Sequence, residues 1–101
     1  MIFEGEYLNE HKYGKGKEYL HECQIEFEGE YLNGRRNGKG KQYNKNGNII
    51  FEGEYFHDNY WNGKGKEYDS ENKLTFEVEY VDGLINGNFK QFFNINSTIP
   101  L

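Results

Sequence analysis

The sequence predicts an all-β protein: an elongated, twisted, single antiparallel sheet made of consecutive β-hairpins. Three observations lead there. A five-residue block recurs at Phe3–Tyr7, Phe27–Tyr31, Phe51–Tyr55 and, modified, Phe76–Tyr80, so the chain repeats every 24, 24 and 25 residues. Apolar and acidic residues alternate inside each block, as in Ile25-Glu26-Phe27-Glu28-Gly29-Glu30-Tyr31, which is the period of a strand with one wet face. Glycines fall inside every repeat unit and nothing recurs at the helical period, which excludes helix.

Taken in order, each unit supplies two strands. The first halves are Met1–Tyr7, Ile25–Tyr31, Ile49–Tyr55 and Leu74–Tyr80, with Ile2, Ile50 and Thr75 in place of one glutamate. The second halves open at Gly14, Gly38, Gly63 and Gly87 and read GKGKEY, GKGKQY, GKGKEY and GNFKQF. Asn33-Gly34 and Asp82-Gly83 lie between halves and suit two-residue type I′ turns, where both central residues take positive φ. Such a turn at Asn33-Gly34 places Phe27 opposite Gly40, Gly29 opposite Gly38, Glu28 opposite Lys39 and Glu26 opposite Lys41. One face then carries rings over glycines, and the other carboxylates facing ammoniums. Tyr19, Tyr43, Tyr68 and Phe92 fall on the charged face by alternation, and whether a bulge re-aims them stays open. Residues 1–93 form four units and 94–101 a tail.

Composition narrows the function classes. The chain is 101 residues, enough for one small domain or one short array. Its mean hydropathy is −1.05, yet 18% of its residues are aromatic, which points to a folded chain that buries rings. A net charge of −5 opposes nucleic acid at long range. No apolar run approaches a bilayer span, and no basic region followed by an apolar stretch opens the chain, so the expected compartment is cytoplasmic. The single Cys23 fits a reducing compartment and carries no metal or redox motif.

These units resemble MORN (membrane occupation and recognition nexus) repeats, whose motif is an aromatic-x-Gly-x-aromatic strand, a loop and a Gly-x-Gly strand. The match runs through Phe3, Gly5, Tyr7, Gly14 and Gly16, then Phe27, Gly29, Tyr31, Gly34, Gly38 and Gly40, then Phe51, Gly53, Tyr55, Gly63 and Gly65. The fourth unit departs, with Val78 and Phe89 at two glycine positions, as a terminal unit would. The resemblance implies an elongated, twisted sheet with an aromatic-lined groove, and a protein-binding or oligomerisation scaffold. It also implies, as an alternative, phospholipid binding.

Sharper chemistry fails on spacing. GRRNGKGK offers Gly34, Gly38 and Lys39, but a P-loop needs four residues between its glycines and a Ser or Thr after the lysine. A dinucleotide fingerprint needs a third glycine where Tyr43 stands. His11, His21 and His57 occupy separate loops with no paired carboxylate, so no metal or cofactor is expected. The repeated glutamates read as an outward stripe, because catalytic carboxylates need unlike environments.

The expectation is therefore a non-catalytic scaffold or adaptor for a protein partner, with self-association as a further route. The third hairpin is one residue longer and places Phe56, Tyr60 and Trp61 at its tip as candidate anchors. The groove rings Phe27, Tyr31, Phe51 and Tyr55 are the second candidate surface. For the lipid alternative the headgroup candidates are Lys39, Lys41, Lys64, Lys66, Arg35 and Arg36, opposed by glutamates on the neighbouring strand. An open array also leaves two strand edges, the second of which the tail with Pro100 is expected to cover.

Overall fold

The computed structural model describes residues 2–21 and 23–91, with side chains as far as residue 86; the expectations for Phe92 and the 94–101 tail lie outside them. Eight strands follow one another: β1 Ile2–Leu8, β2 His11–His21, β3 Gln24–Leu32, β4 Arg35–Tyr43, β5 Ile49–Phe56, β6 Asn59–Tyr68, β7 Leu74–Val81 and β8 Leu84–Gln91. They pair antiparallel in chain order as one open sheet, 57 × 32 × 13 Å overall. The expected all-β sheet of consecutive hairpins is what forms.

All four hairpins close with two residues at positive φ. Asn33 and Gly34 lie at φ 51° and 83°, and Asp82 and Gly83 at 52° and 83°, as their types demand. Asn9-Glu10 and His57-Asp58 adopt the same conformation without a glycine. Neighbouring turns support each other: the amides of Gly34, Asp58 and Gly83 donate to the carbonyls of Lys12, Arg36 and Trp61 in the preceding hairpin at 3.1, 2.9 and 2.9 Å. On the other side of the sheet, the Asn44 carboxamide and Asp69 carboxylate each accept two backbone N–H groups within the links 44–48 and 69–73.

The register of the second hairpin differs from the sequence expectation. Tyr31 faces Arg36 as the turn requires, but Phe27 faces Gln42, Glu28 faces Lys41 and Gly29 faces Gly40. A bulge causes the slip of two. Gly38 turns to φ 100°, and the Glu30 carboxylate accepts the Lys39 amide at 2.7 Å. The third hairpin carries a smaller bulge, at Trp61, and pairs Phe51 with Gly65 and Gly53 with Gly63, the register expected of the second.

A second family of bulges sits between units. Ile25, Ile49 and Leu74 pair with Tyr19, Tyr43 and Tyr68, so Glu26, Ile50 and Thr75 become the extra residues. Tyr19 and Tyr43 stay on the charged face, their hydroxyls donating to Glu4 at 3.3 Å and Glu28 at 2.5 Å. Burial, then the Glu28 hydrogen bond, pushes the Tyr43 phenol up to about 12. Tyr68 donates instead to the Ile49 carbonyl at 2.8 Å.

The core is a single file of rings. Phe27 and Phe51 are wholly enclosed, and Tyr31 and Tyr55 are 4% and 3% exposed. Each tyrosine meets the phenylalanine of its own strand and that of the preceding unit edge-on: Tyr31 with Phe27 and Phe3, and Tyr55 with Phe51 and Phe27, at 4.9–5.6 Å. Glycines in the strand between make this possible. A Cβ at Gly40 would stand 2.7 Å from the Phe27 ring and 3.0 Å from the Tyr55 ring, and in the paired strand a Cβ at Gly29 would stand 2.5 Å from the Lys39 carbonyl oxygen and 2.6 Å from the Gly40 Cα.

Two substitutions test this account by urea unfolding. Gly29→Ala forces backbone against backbone and is expected to cost about 1–3 kcal/mol. Glu26 has a buried carboxylate oxygen, Oε2, with no hydrogen-bond partner, at a bulge position where the third unit carries Ile50. Glu26→Ile is expected to raise stability by roughly 1 kcal/mol, and a loss would contradict the account.

Candidate binding surfaces

The ring face offers little surface for a partner. Phe27, Tyr31, Phe51 and Tyr55 are the buried core, so the expected open aromatic groove is closed by the sheet's own side chains. The residue two positions beyond each of the first three turns completes the cover. Lys12 lies over Phe3 at 4.7 Å, Arg36 over Phe27 at 4.2 Å, and Tyr60 stacks on Phe51 at 3.9 Å with an interplanar angle of 6°. Tyr60, expected at a loop tip, is instead a partly buried ring packed on the core, because the insertion falls in β6 and not in the turn.

Beneath this cover lies a polar network that sequence reasoning missed. Arg36 Nε donates to Glu18 Oε2 at 2.9 Å, and the Tyr31 hydroxyl donates to the same oxygen. One unit on, Gln42 Oε1 accepts from the Tyr55 and Tyr60 hydroxyls at 3.2 and 3.1 Å. The signal was present: Glu18 and Gln42 share the parity of Gly14, Gly16, Gly38 and Gly40, which places them on the ring face. Burial alone raises the Glu18 carboxyl, but the hydrogen bonds from Arg36 and Tyr31 outweigh it and hold the group below the usual carboxylate range. Burial, then Glu18, drives the Tyr31 phenol far above its ordinary value. Arg36, a headgroup candidate by sequence, is thus neutralised and on the wrong face.

The opposite face is a shallow trough of about 1130 Å³ floored by the glycine backbones. Its walls alternate in sign across the strands, Glu4, Lys17, Glu28, Lys41 and Glu52 following one another in register, and the row continues beyond it through Lys64 and Glu79. Lys41 Nζ is 3.7 Å from Glu52. Lys39 faces Glu54, and Lys66 faces Glu77. Arg35, at the turn edge, lies 3.5 Å from His57 Nδ1. The candidate cations are therefore dispersed among carboxylates.

The hairpin-turn edge is different. Leu8, Leu32, Phe56 and Val81 occupy the same position in successive units, immediately before the turns, and all are exposed; Phe56 is 46% exposed. Trp61 is half-buried, 4.9 Å from the Phe56 ring and close over Gly83. Phe56 itself stacks on His57 at 4.2 Å. The structure thus brings Phe56 and Trp61 together and separates Tyr60 from them. Among the described residues no helix is long and apolar enough to cross a membrane, and no group of three His, Cys, Asp or Glu is placed to hold a metal ion. No family model matches the chain, and neither a curated protein nor a solved structure does.

Removing Arg36 leaves the Glu18 charge buried and unpaired, so Arg36→Ala is expected to cost about 3–5 kcal/mol. Combining Glu18→Gln with Arg36→Met should recover most of that loss. The Glu18 carboxyl is lowered on folding, so its contribution is present above the unfolded value of about 4.3 and is lost as pH falls through the folded one. Urea unfolding at graded acid pH checks this. The stability difference between the wild type and Glu18→Gln should shrink below roughly pH 4.3, and a constant difference would contradict the assignment.

Proposed function

We propose that this chain is a non-catalytic scaffold that docks a protein partner along its hairpin-turn edge. The observation that carries the reading is the exposed apolar row of Leu8, Leu32, Phe56 and Val81, one residue per hairpin, with Trp61 packed beside it. Isolated surface leucines are ordinary, whereas a periodic row on a rigid sheet is a surface of defined spacing. Successive hairpins are separated by two strand spacings, roughly 9.6 Å. Seven residues of α-helix rise about 10.5 Å, so an amphipathic helix with apolar residues at heptad spacing suits the row. Arg35, Asn59 and the His57-Asp58 turn supply a polar rim.

Phospholipid binding draws less support, since its candidate cations alternate with glutamates and Arg36 is committed to Glu18. The test is affinity capture with the full chain. A partner held by wild type is expected to be lost at least about tenfold in the Phe56→Ser, Trp61→Ala variant. It should be kept by Lys39→Glu, Lys41→Glu. Both variants are first shown to melt cooperatively. Capture by neither wild type nor variants, or binding to anionic vesicles abolished by the lysine changes, would sink the reading.

A further inference from the structure

Among the described residues, β1 lacks a neighbour that every other aromatic strand has. Three interior junctions share one pattern. Gly14, Gly38 and Gly63 pair with Tyr31, Tyr55 and Tyr80, and the lysine after each pairs with Glu30, Glu54 and Glu79. The second lysine of each strand then meets Glu28, Glu52 and Glu77. At the first two junctions the next residue, Glu18 or Gln42, accepts the tyrosine hydroxyl. Each aromatic strand thus packs its tyrosine over the glycines of the preceding strand: a Cβ at Gly16 or Gly40 would stand 3.1 or 3.0 Å from the ring of Tyr31 or Tyr55.

β1 has the receptor half of this pattern and, among the described residues, no donor. Tyr7 is 60% exposed, whereas its counterparts Tyr31 and Tyr55 are nearly enclosed. Its ring meets Phe3 on one side, at 5.4 Å, and its hydroxyl has no partner among the described residues. Glu28 has a lysine on both neighbouring strands, Lys17 and Lys41, but Glu4 has Lys17 alone. The outer edge of β1 is therefore acidic, carries an uncovered ring, and presents unpaired backbone groups.

We propose that the β1 edge is a strand-docking site for a basic, glycine-alternating segment of a protein partner, Gly-Lys-Gly-Lys-(Glu/Gln), added antiparallel. The junction pattern assigns the register: the first glycine opposite Tyr7, the lysines opposite Glu6 and Glu4, the second glycine opposite Gly5. The terminal carboxylate or carboxamide receives the Tyr7 hydroxyl. This is edge augmentation with the backbone supplying affinity and the glycines supplying room for the ring. A second copy of this chain is a poor donor. Two β1 strands would oppose Glu4 and Glu6 to Glu6 and Glu4. The β8 sequence has Asn88 and Phe89 where the pattern has its first lysine and second glycine.

The experiment uses the full chain and a peptide of residues 35–45, RRNGKGKQYNK, which carries the proposed pattern. Saturable binding is expected, with hydrogen-exchange protection gained in β1 and not in β8. It should weaken at least about tenfold for a peptide with Gly38→Val and Gly40→Val, and likewise for the Tyr7→Ser protein, whose fold is checked by its melt. The Phe56→Ser, Trp61→Ala variant should bind the peptide as wild type does, so this site and the turn-edge reading fail separately. No saturable binding, equal binding of the valine peptide, protection outside β1, or growth of the protein into head-to-tail oligomers would overturn the proposal.

Discussion

A ring seated over a glycine backbone is the contact on which this structure depends. A sheet of one layer, 13 Å thick, has no second layer to bury its apolar face against. Its rings must cover one another, and rings on adjacent aromatic-bearing strands are separated by an intervening strand. Contact across that strand requires it to carry no side chain on the same face. The Gly-x-Gly strands meet that demand, and the bulges set the register that delivers the glycines. In the second hairpin the slip of two places Gly40 beneath Phe27 and Tyr55 together. Turn chemistry alone would have left Phe27 on Gly40 but Gly29 against Gly38.

Polar groups then fix what packing leaves loose. A tyrosine at the end of each ring pair needs a hydroxyl partner once it is enclosed, and Glu18 and Gln42 provide one from the strand that the ring covers. At Glu18 the carboxylate also holds Arg36 over Phe27, so one acid orients both the lower and the upper neighbours of the ring. The same position carries a neutral amide in the next unit, where a tyrosine replaces the arginine. Charge at Glu18 goes with a cation above it, and its loss at Gln42 goes with a ring.

Much of this was legible in the residues. Period-two alternation and Asn-Gly or Asp-Gly turns led to the strands, the order and the two-faced character of the sheet, and alternation correctly kept Tyr19 and Tyr43 on the charged face. Register was not legible, because Gly38 advertises conformational freedom without saying that three residues, Asn37 to Lys39, would oppose the single Glu30. Nor was the loss of Tyr60 to the core. An insertion in a repeat looks like a longer loop, yet the turn at His57-Asp58 keeps two residues and the strand that follows absorbs the extra one in a bulge.

That absorption is also what makes the third unit chemically distinct. A strand alternates its faces residue by residue, so an added residue either inverts everything beyond it or is taken up in a bulge. Here the bulge at Trp61 keeps Gly63 and Gly65 on the ring face, with Phe51 now reaching Gly63. Tyr60, in the position of Arg36, brings a flat ring down on Phe51 and reaches Tyr80 at 5.4 Å. The displaced residue is Trp61, pushed to the opposite face beside Phe56, where its backbone carbonyl accepts the Gly83 amide and its indole roofs that turn. A single insertion thus repairs the core without a cation and sets an aromatic pair on the turn edge, the place in the array where strict repetition gives way to a distinctive surface.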